Sequence, residues 1–148
     1  MSAIKFHTID VKPALNQKIK LKQFIKYIFS LEGKELDTIN FIFCSDNHLL
    51  SMNQQFLQHD YFTDILTFNL SNNDTTAISG EIYISIDRIK ENAAIHNDTY
   101  ISELKRVIFH GVLHLCGYLD KTEKEKLLMT EKENYYLKQF EAFHVETK

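Results

Sequence analysis

The sequence predicts an α+β fold: one four-stranded sheet covered by about five helices, with a metal site on a helix that is followed by a glycine turn. Three observations predict it. Several segments place apolar residues at every second position, the period of a strand. Others repeat them every three to four positions, the period of a helix, and the two kinds interleave along the chain. The length of 148 residues suits one hydrophobic core, so residues 1–148 are expected to form a single domain.

Ile4 and Phe6 alternate with polar neighbours, giving a first strand over 3–9, closed by the only proline, Pro13. Residues 14–32 read as a helix with Ile19, Phe24, Ile25, Ile28 and Phe29 as its apolar stripe, and Gly33 is placed to end it in a left-handed conformation. A second strand follows at 38–44. Ser45 is expected to cap a short helix running to about Phe56, its hydroxyl accepting from a first-turn amide. Residues 64–68 form a third strand, and the polar run 71–76 is a surface loop. Ile82, Ile84 and Ile86 alternate with Tyr83 and Ser85 as a fourth strand, after which Asp87 is expected to cap a helix to about His96.

Residues 100–116 are helical again, with Leu104, Val107, Ile108, Leu113 and Leu115 apolar and Gly117 as the stop. Thr122-Glu123-Lys124-Glu125 is a capping box, opening a last helix to about Phe140.

Charge narrows the function classes. A net charge of −3 and a pI near 6.1 argue against a protein that coats nucleic acid, which needs many lysine and arginine contacts to phosphate. Lys18, Lys20, Lys22 and Lys26 form one basic cluster, read here as a solvated helix face. Cys44 and Cys116 are the only cysteines; they read as small buried apolar residues in a reducing compartment. With no leader pattern at Met1 and no apolar run of the ~18 residues a membrane span requires, a cytoplasmic address without membrane partners is expected.

The run His110-Gly111-Val112-Leu113-His114-Leu115-Cys116-Gly117-Tyr118-Leu119-Asp120 stands apart. Two histidines four apart on a helix lie about 40° apart in azimuth and about 6 Å apart along the axis, so both imidazoles can reach one ion. Gly117 lets the chain leave the helix, so that Asp120 can return with a hard oxygen ligand. Three protein ligands leave a fourth position for water, as in catalytic zinc sites, and such an ion lowers that water's pKa toward ~7. Hydrolysis is the reaction this arrangement suits. The bland alternative is a pair of hydrogen-bonded structural histidines, since seven histidines in 148 residues give some four-residue spacings by chance. His7, His48, His96 and His144 stand alone and read as surface or core residues. The spacing also overlaps the extended motif of metzincin zinc peptidases. Those need a glutamate directly after the first histidine as general base, where this chain has Gly111.

The same run resembles the signature of YbeY-type metallo-endoribonucleases, which cut single-stranded RNA and act in ribosomal RNA maturation, at the 3′ end of 16S rRNA, and in ribosome quality control. Met52-Asn53-Gln54-Gln55-Phe56, the stretch from His59 to Phe68, and Gly80-Glu81-Ile82-Tyr83-Ile84-Ser85 resemble further family segments in order. The resemblance spans about Phe41 to Thr122. It implies metal ligands at His110, His114 and Asp120, one ion per chain, with zinc expected and nickel or iron also suited to two imidazoles and a carboxylate.

Two positions depart from the family pattern. Its third ligand is usually histidine, and an aspartate there lowers the net charge of the site, making bound water less acidic. An arginine common after the Asn-x-x-aromatic stretch is here Leu57, which cannot grip phosphate. Arg106, one turn before His110 in the same helical row, is the candidate replacement, with a solvated or salt-bridged arginine as the plain alternative; His59 is another. Tyr61, Phe62 and Tyr118 are candidates to stack on unpaired bases, or else packing residues. No general base is identifiable.

The expectation is thus a metal-dependent endoribonuclease whose partners are single-stranded RNA, ribosomal RNA and the ribosome. Two alternatives stay open. One is a small zinc peptidase using the same histidine clamp. The other is a non-catalytic ribosome-binding module whose metal holds the last two helices together, favoured by Leu57 and the acidic pI.

Overall fold

Alternating segments become strands, and three-to-four-spaced segments become helices, throughout the described residues. The structure is a computed structural model describing residues 3–13, 15–57 and 63–146. Its elements are β1 (Ala3–Thr8), α1 (Lys18–Leu31), β2 (Leu36–Cys44), α2 (Asp46–Leu57), β3 (Ile65–Asn69), β4 (Ile78–Ser85), α3 (Ile86–Ile95), α4 (Tyr100–Leu115) and α5 (Glu123–Ala142). The sheet order is β1-β2-β4-β3. β1, β2 and β4 are mutually parallel, and β3 pairs antiparallel with β4 as an edge strand.

The register assigns the two faces. One carries Ile4, Ile39, Phe41, Phe43, Ile82 and Ile84, packed with residues of α1, α3, α4 and α5 into the principal core. The other carries Cys44 and Leu66, which form a small cluster with Leu49 of α2. Burying one large apolar side chain contributes about 1.5–3 kcal/mol, so the first face dominates the stability. Ile65, Thr67 and Asn69 pair with Ile84, Ile82 and Gly80, which puts alternate residues of β3 on that same face, beside α4.

Local signals explain the boundaries. Gly33 has φ 68°, and Lys34 N–H donates to Phe29 O at 2.9 Å, the left-handed cap expected there. Ser45 Oγ accepts from His48 N–H at 3.2 Å. Thr122 and Glu125 form the reciprocal capping box.

Several boundaries differ from expectation, β2 among them, which begins at Leu36 rather than at 38. α1 begins at Lys18, because Gln17 takes a left-handed φ of 58°; Ala14, where the helix was expected to start, lies outside the described residues. Ile19 consequently faces solvent, and Leu21 completes the stripe with Phe24, Ile25, Ile28 and Phe29. The fourth strand starts earlier, at Ile78, and ends at Ser85, so Ile86 is the first residue of α3. Ser85 rather than Asp87 caps α3, its Oγ accepting from Arg88 N–H at 3.1 Å. Asp87 instead accepts from Asp46 N–H at 2.8 Å, capping the neighbouring helix α2.

The basic cluster of α1 covers apolar surface: Lys20 Nζ lies 4.3 Å from the Phe140 ring centroid and Lys22 Nζ 5.6 Å from that of Phe6. Among the described residues no helix is long and apolar enough to cross a membrane.

At the end of α1, Glu32 ties together three distant segments. Its carboxylate accepts from the Tyr118 hydroxyl at 2.6 Å, from the Tyr136 hydroxyl, and from Lys132 Nζ at 3.3 Å. Burial raises the Glu32 pKa, but these hydrogen bonds and the Lys132 charge outweigh it and leave the carboxyl below its ordinary value. A depressed folded pKa stabilises the protein above the unfolded-state value, and that contribution is lost as pH falls through the folded pKa. Glu32→Gln is therefore expected to cost about 1–3 kcal/mol at pH 7. In urea titrations the gap between wild type and variant should narrow below pH ~4.5, the ordinary glutamate value; a gap that stays constant to pH 3 would contradict this account.

Candidate metal centre

The site is built at the end of α4. Thr99 caps the helix, its side chain accepting from Ser102 N–H, and nine buried residues hold it in place. Gly117 then adopts φ 106°, and Tyr118 N–H donates to Leu113 O at 3.0 Å, turning the chain back on itself. Asp120 thereby reaches the two histidines. His110 Nε2 and His114 Nε2 are 2.9 Å apart, and Asp120 Oδ2 is 3.1 Å from each.

The tautomers follow from the partners of the other ring nitrogens. His110 Nδ1 lies 2.6 Å from Glu133 Oε2, and a carboxylate only accepts, so Nδ1–H donates. His114 Nδ1 likewise donates to the Tyr118 carbonyl at 2.9 Å. With Nδ1 protonated, each imidazole in its metal-ligating form turns an Nε2 lone pair toward the other and toward a carboxylate oxygen. Three acceptors converge with no donor among them, an arrangement that calls for a cation. Ligands of a tetrahedral zinc at about 2.0–2.1 Å stand roughly 3.3–3.4 Å apart, so this triangle needs to widen only slightly to hold one. Proton affinity shows the same pull. Burial opposes a charge on His110, yet the Glu133 hydrogen bond and the charges of Glu133, Asp120 and Asp64 raise its pKa.

The triangle lines a cleft of about 780 Å³ between β3 and α4, whose walls include Leu57, Thr63, Asp64, Thr67, Glu103, Arg106, Lys121 and Glu133. Four carboxylates against Arg106 and Lys121 make it acidic. Asp64 and Glu103 are held above their ordinary pKa by burial, opposed by the His110 charge at Asp64 and the His96 charge at Glu103.

All three residues expected from the sequence to meet do so. Arg106 lies in the cleft wall, but it is salt-bridged: it donates to Glu133 Oε1 at 2.9 Å and to Asn134 Oδ1 at 2.8 Å. Tyr118 is fixed by Glu32, with Lys132 Nζ 5.4 Å from its ring centroid. His59, Tyr61 and Phe62 lie outside the described residues. Cys44 and Cys116 are buried free thiols, each pushed up to about 12 chiefly by burial.

Glu133 is the participant the sequence reading missed. It sits in the buried stripe of α5 with Met129, Tyr136 and Phe140, at intervals of four, three and four. A carboxylate inside an otherwise apolar helical stripe was the available signal.

Gly111 is buried where α4 crosses the sheet. A Cβ there would stand 2.9 Å from Ile65 Cδ1 and 3.0 Å from Ile82 Cδ1 and Cγ2. Position 111 thus packs against the sheet and offers no place for a peptidase's glutamate.

Comparison with known proteins agrees with this geometry. The family model described as Endoribonuclease YbeY matches residues 5–141. The chain is 46% identical over 132 residues to "Endoribonuclease YbeY" of Cytophaga hutchinsonii, covering 88% of this chain and 91% of that protein. It is 48% identical over 125 residues to the protein of the same name in Flavobacterium psychrophilum, covering 82% and 86%. The solution structure of TM1509 from Thermotoga maritima superposes with a TM-score of 0.64 at 32% identity, covering 93% of this chain and 88% of that one.

Gly111→Ala should cost about 1 kcal/mol: overpacking of about 1–3 kcal/mol, partly offset by the roughly 1 kcal/mol that alanine gains over glycine inside a helix. The expected readout is a lower urea midpoint with an unchanged slope, and a midpoint at or above wild type would refute the tight contact.

Proposed function

The chain belongs to the YbeY endoribonuclease family, and from that premise we propose that it hydrolyses single-stranded ribosomal RNA at a cation held by His110, His114 and Asp120. The observation that carries the reading is the meeting of two imidazole lone pairs and a carboxylate oxygen in the wall of an open cleft. A cation bound there supplies Lewis-acid polarisation of a phosphoryl oxygen and the acidification of water that hydrolysis at neutral pH needs. Zinc, one per chain, is the ion that this donor set favours, with nickel and iron as the alternatives.

The remaining roles belong to the cleft. Its carboxylates repel a polyanion, so RNA is held locally, by the cation and by Arg106, two of whose five N–H donors are engaged by Glu133 and Asn134. Ribosomal RNA maturation, including the 3′ end of 16S rRNA, and ribosome quality control make the ribosome the working partner. One principal core shared by the sheet and four helices supports a single working domain. Two reduced, buried thiols support a cytoplasmic setting. The alternatives find no support: Gly111 leaves a peptidase without its base, and the relatives at 46% and 48% identity are endoribonucleases by name.

Metal analysis of the purified protein, with RNA and peptide cleavage assayed for wild type and His114→Ala, tests the reading. The variant is expected to lose its metal and more than about a hundredfold of RNA cleavage, with peptides untouched by either protein. Unchanged metal content in the variant would reject the site.

Arg106→Met is expected to raise KM for a short single-stranded RNA about tenfold, equivalent to about 1.4 kcal/mol. Wild-type KM in that variant would remove Arg106 from phosphate binding.

A further inference from the structure

We propose that Glu133 is a positioning residue for the metal, locking His110 in the one tautomer that can ligate, and that Arg106 decides how firmly it does so. This rests on the metal reading above.

Glu133 is 7% exposed, and nothing about the packing of α5 calls for a charge at that point, since its stripe neighbours are Met129, Tyr136 and Phe140. A buried carboxylate is costly unless both oxygens find donors. Here both do, and the donors differ in kind: Oε2 takes His110 Nδ1–H at 2.6 Å, and Oε1 takes Arg106 at 2.9 Å. The guanidinium fixes the plane of the carboxylate. The carboxylate oxygen facing His110 is an acceptor, so the ring proton stays on Nδ1 and the Nε2 lone pair stays free for the ion. His114 is held differently, by the neutral Tyr118 carbonyl, so only one of the two rings depends on a charged partner.

This arrangement makes a distinctive demand that glutamine cannot meet. A carboxamide in the place of Glu133 has one acceptor for two donors. If its oxygen serves Arg106, its NH₂ faces His110 Nδ1, and the ring proton must move to Nε2, where it blocks metal binding. Metal can bind only if the amide turns over, which sets its NH₂ against the guanidinium. Removing Arg106 abolishes that conflict and lets the amide oxygen serve His110. A group with a merely architectural role shows no such rescue.

The test is zinc affinity by chelator competition for the wild type, Glu133→Gln, Arg106→Met and the double variant. Far-UV circular dichroism of the metal-free proteins confirms that each is folded. Glu133→Gln is expected to weaken zinc binding about 10–100-fold. The double variant should return to within about twofold of Arg106→Met alone, the scatter expected where one change no longer affects the other. Glu133→Gln binding zinc as tightly as wild type would overturn the proposal, as would a double variant no tighter than Glu133→Gln. A wild type that binds no zinc, nickel or iron would instead bring down the metal reading itself. Should Glu133→Gln fail to fold, NMR of the zinc-loaded wild type decides. A hydrogen-bonded proton on His110 Nδ1 with Nε2 metallated is expected, and metallation at Nδ1 overturns the assignment.

Discussion

The close approach of α4 to the sheet is the constraint on which the rest of this structure depends. Gly111 lies against Ile65 and Ile82, and Leu115 packs onto Gly80 of β4, where an added Cβ would meet the leucine methyls at 2.8 Å. Side chains at either glycine would push the helix outward. With both absent, α4 sits low enough for its adjoining flank, carrying Arg106, His110 and His114, to form one wall of a cleft whose other wall is the edge strand β3. The close packing at Gly80 and Gly111 and the candidate chemistry are therefore carried by neighbouring faces of one helix.

Around that helix the polar groups are arranged in linked tiers. The imidazoles of α4 rest on Glu133 from α5 and on the carbonyl of Tyr118, and Tyr118 is itself anchored by Glu32 at the end of α1. Lys132 and Tyr136 close the network from α5. Low dielectric strengthens such bonds and makes each unpaired member costly, so the network fixes side-chain directions that loop residues such as Tyr118 and Asp120 could not keep unaided. The acidity of the cleft has the same origin. Asp64, Asp120 and Glu133 raise the proton affinity of His110, and Glu103 adds a fourth carboxylate to the cleft wall. For an enzyme acting on a polyanion that field repels substrate, and the cation proposed above would offset it.

Much of this was legible in the chain. The periods of 2 and 3.6 located the elements, and the glycine stops at Gly33 and Gly117 and the Thr122–Glu125 box located their ends, because each depends on neighbours within a few residues. The His110, His114 and Asp120 cluster was legible for the same reason, since one helical turn and one glycine reversal bring all three together. Misreadings arose where two local rules competed. Ile86 continued a strand's alternation but opened a helix, and Asp87, a good cap by composition, serves α2 across space because Ser85 already serves α3.

What the sequence determined by itself was everything set by short-range geometry: element type, most element ends, and the meeting of His110, His114 and Asp120. Tertiary structure alone decided the strand order β1-β2-β4-β3, the burial of Gly111 against the sheet, and the recruitment of Glu133 to His110 and Arg106. Those last two helices meet 23 positions apart, His110 to Glu133, and no periodicity connects them. The physical reason is that backbone hydrogen bonding and rotamer sterics act over a few residues, whereas the pairing of buried charge is settled only when separate elements have packed and water has left between them.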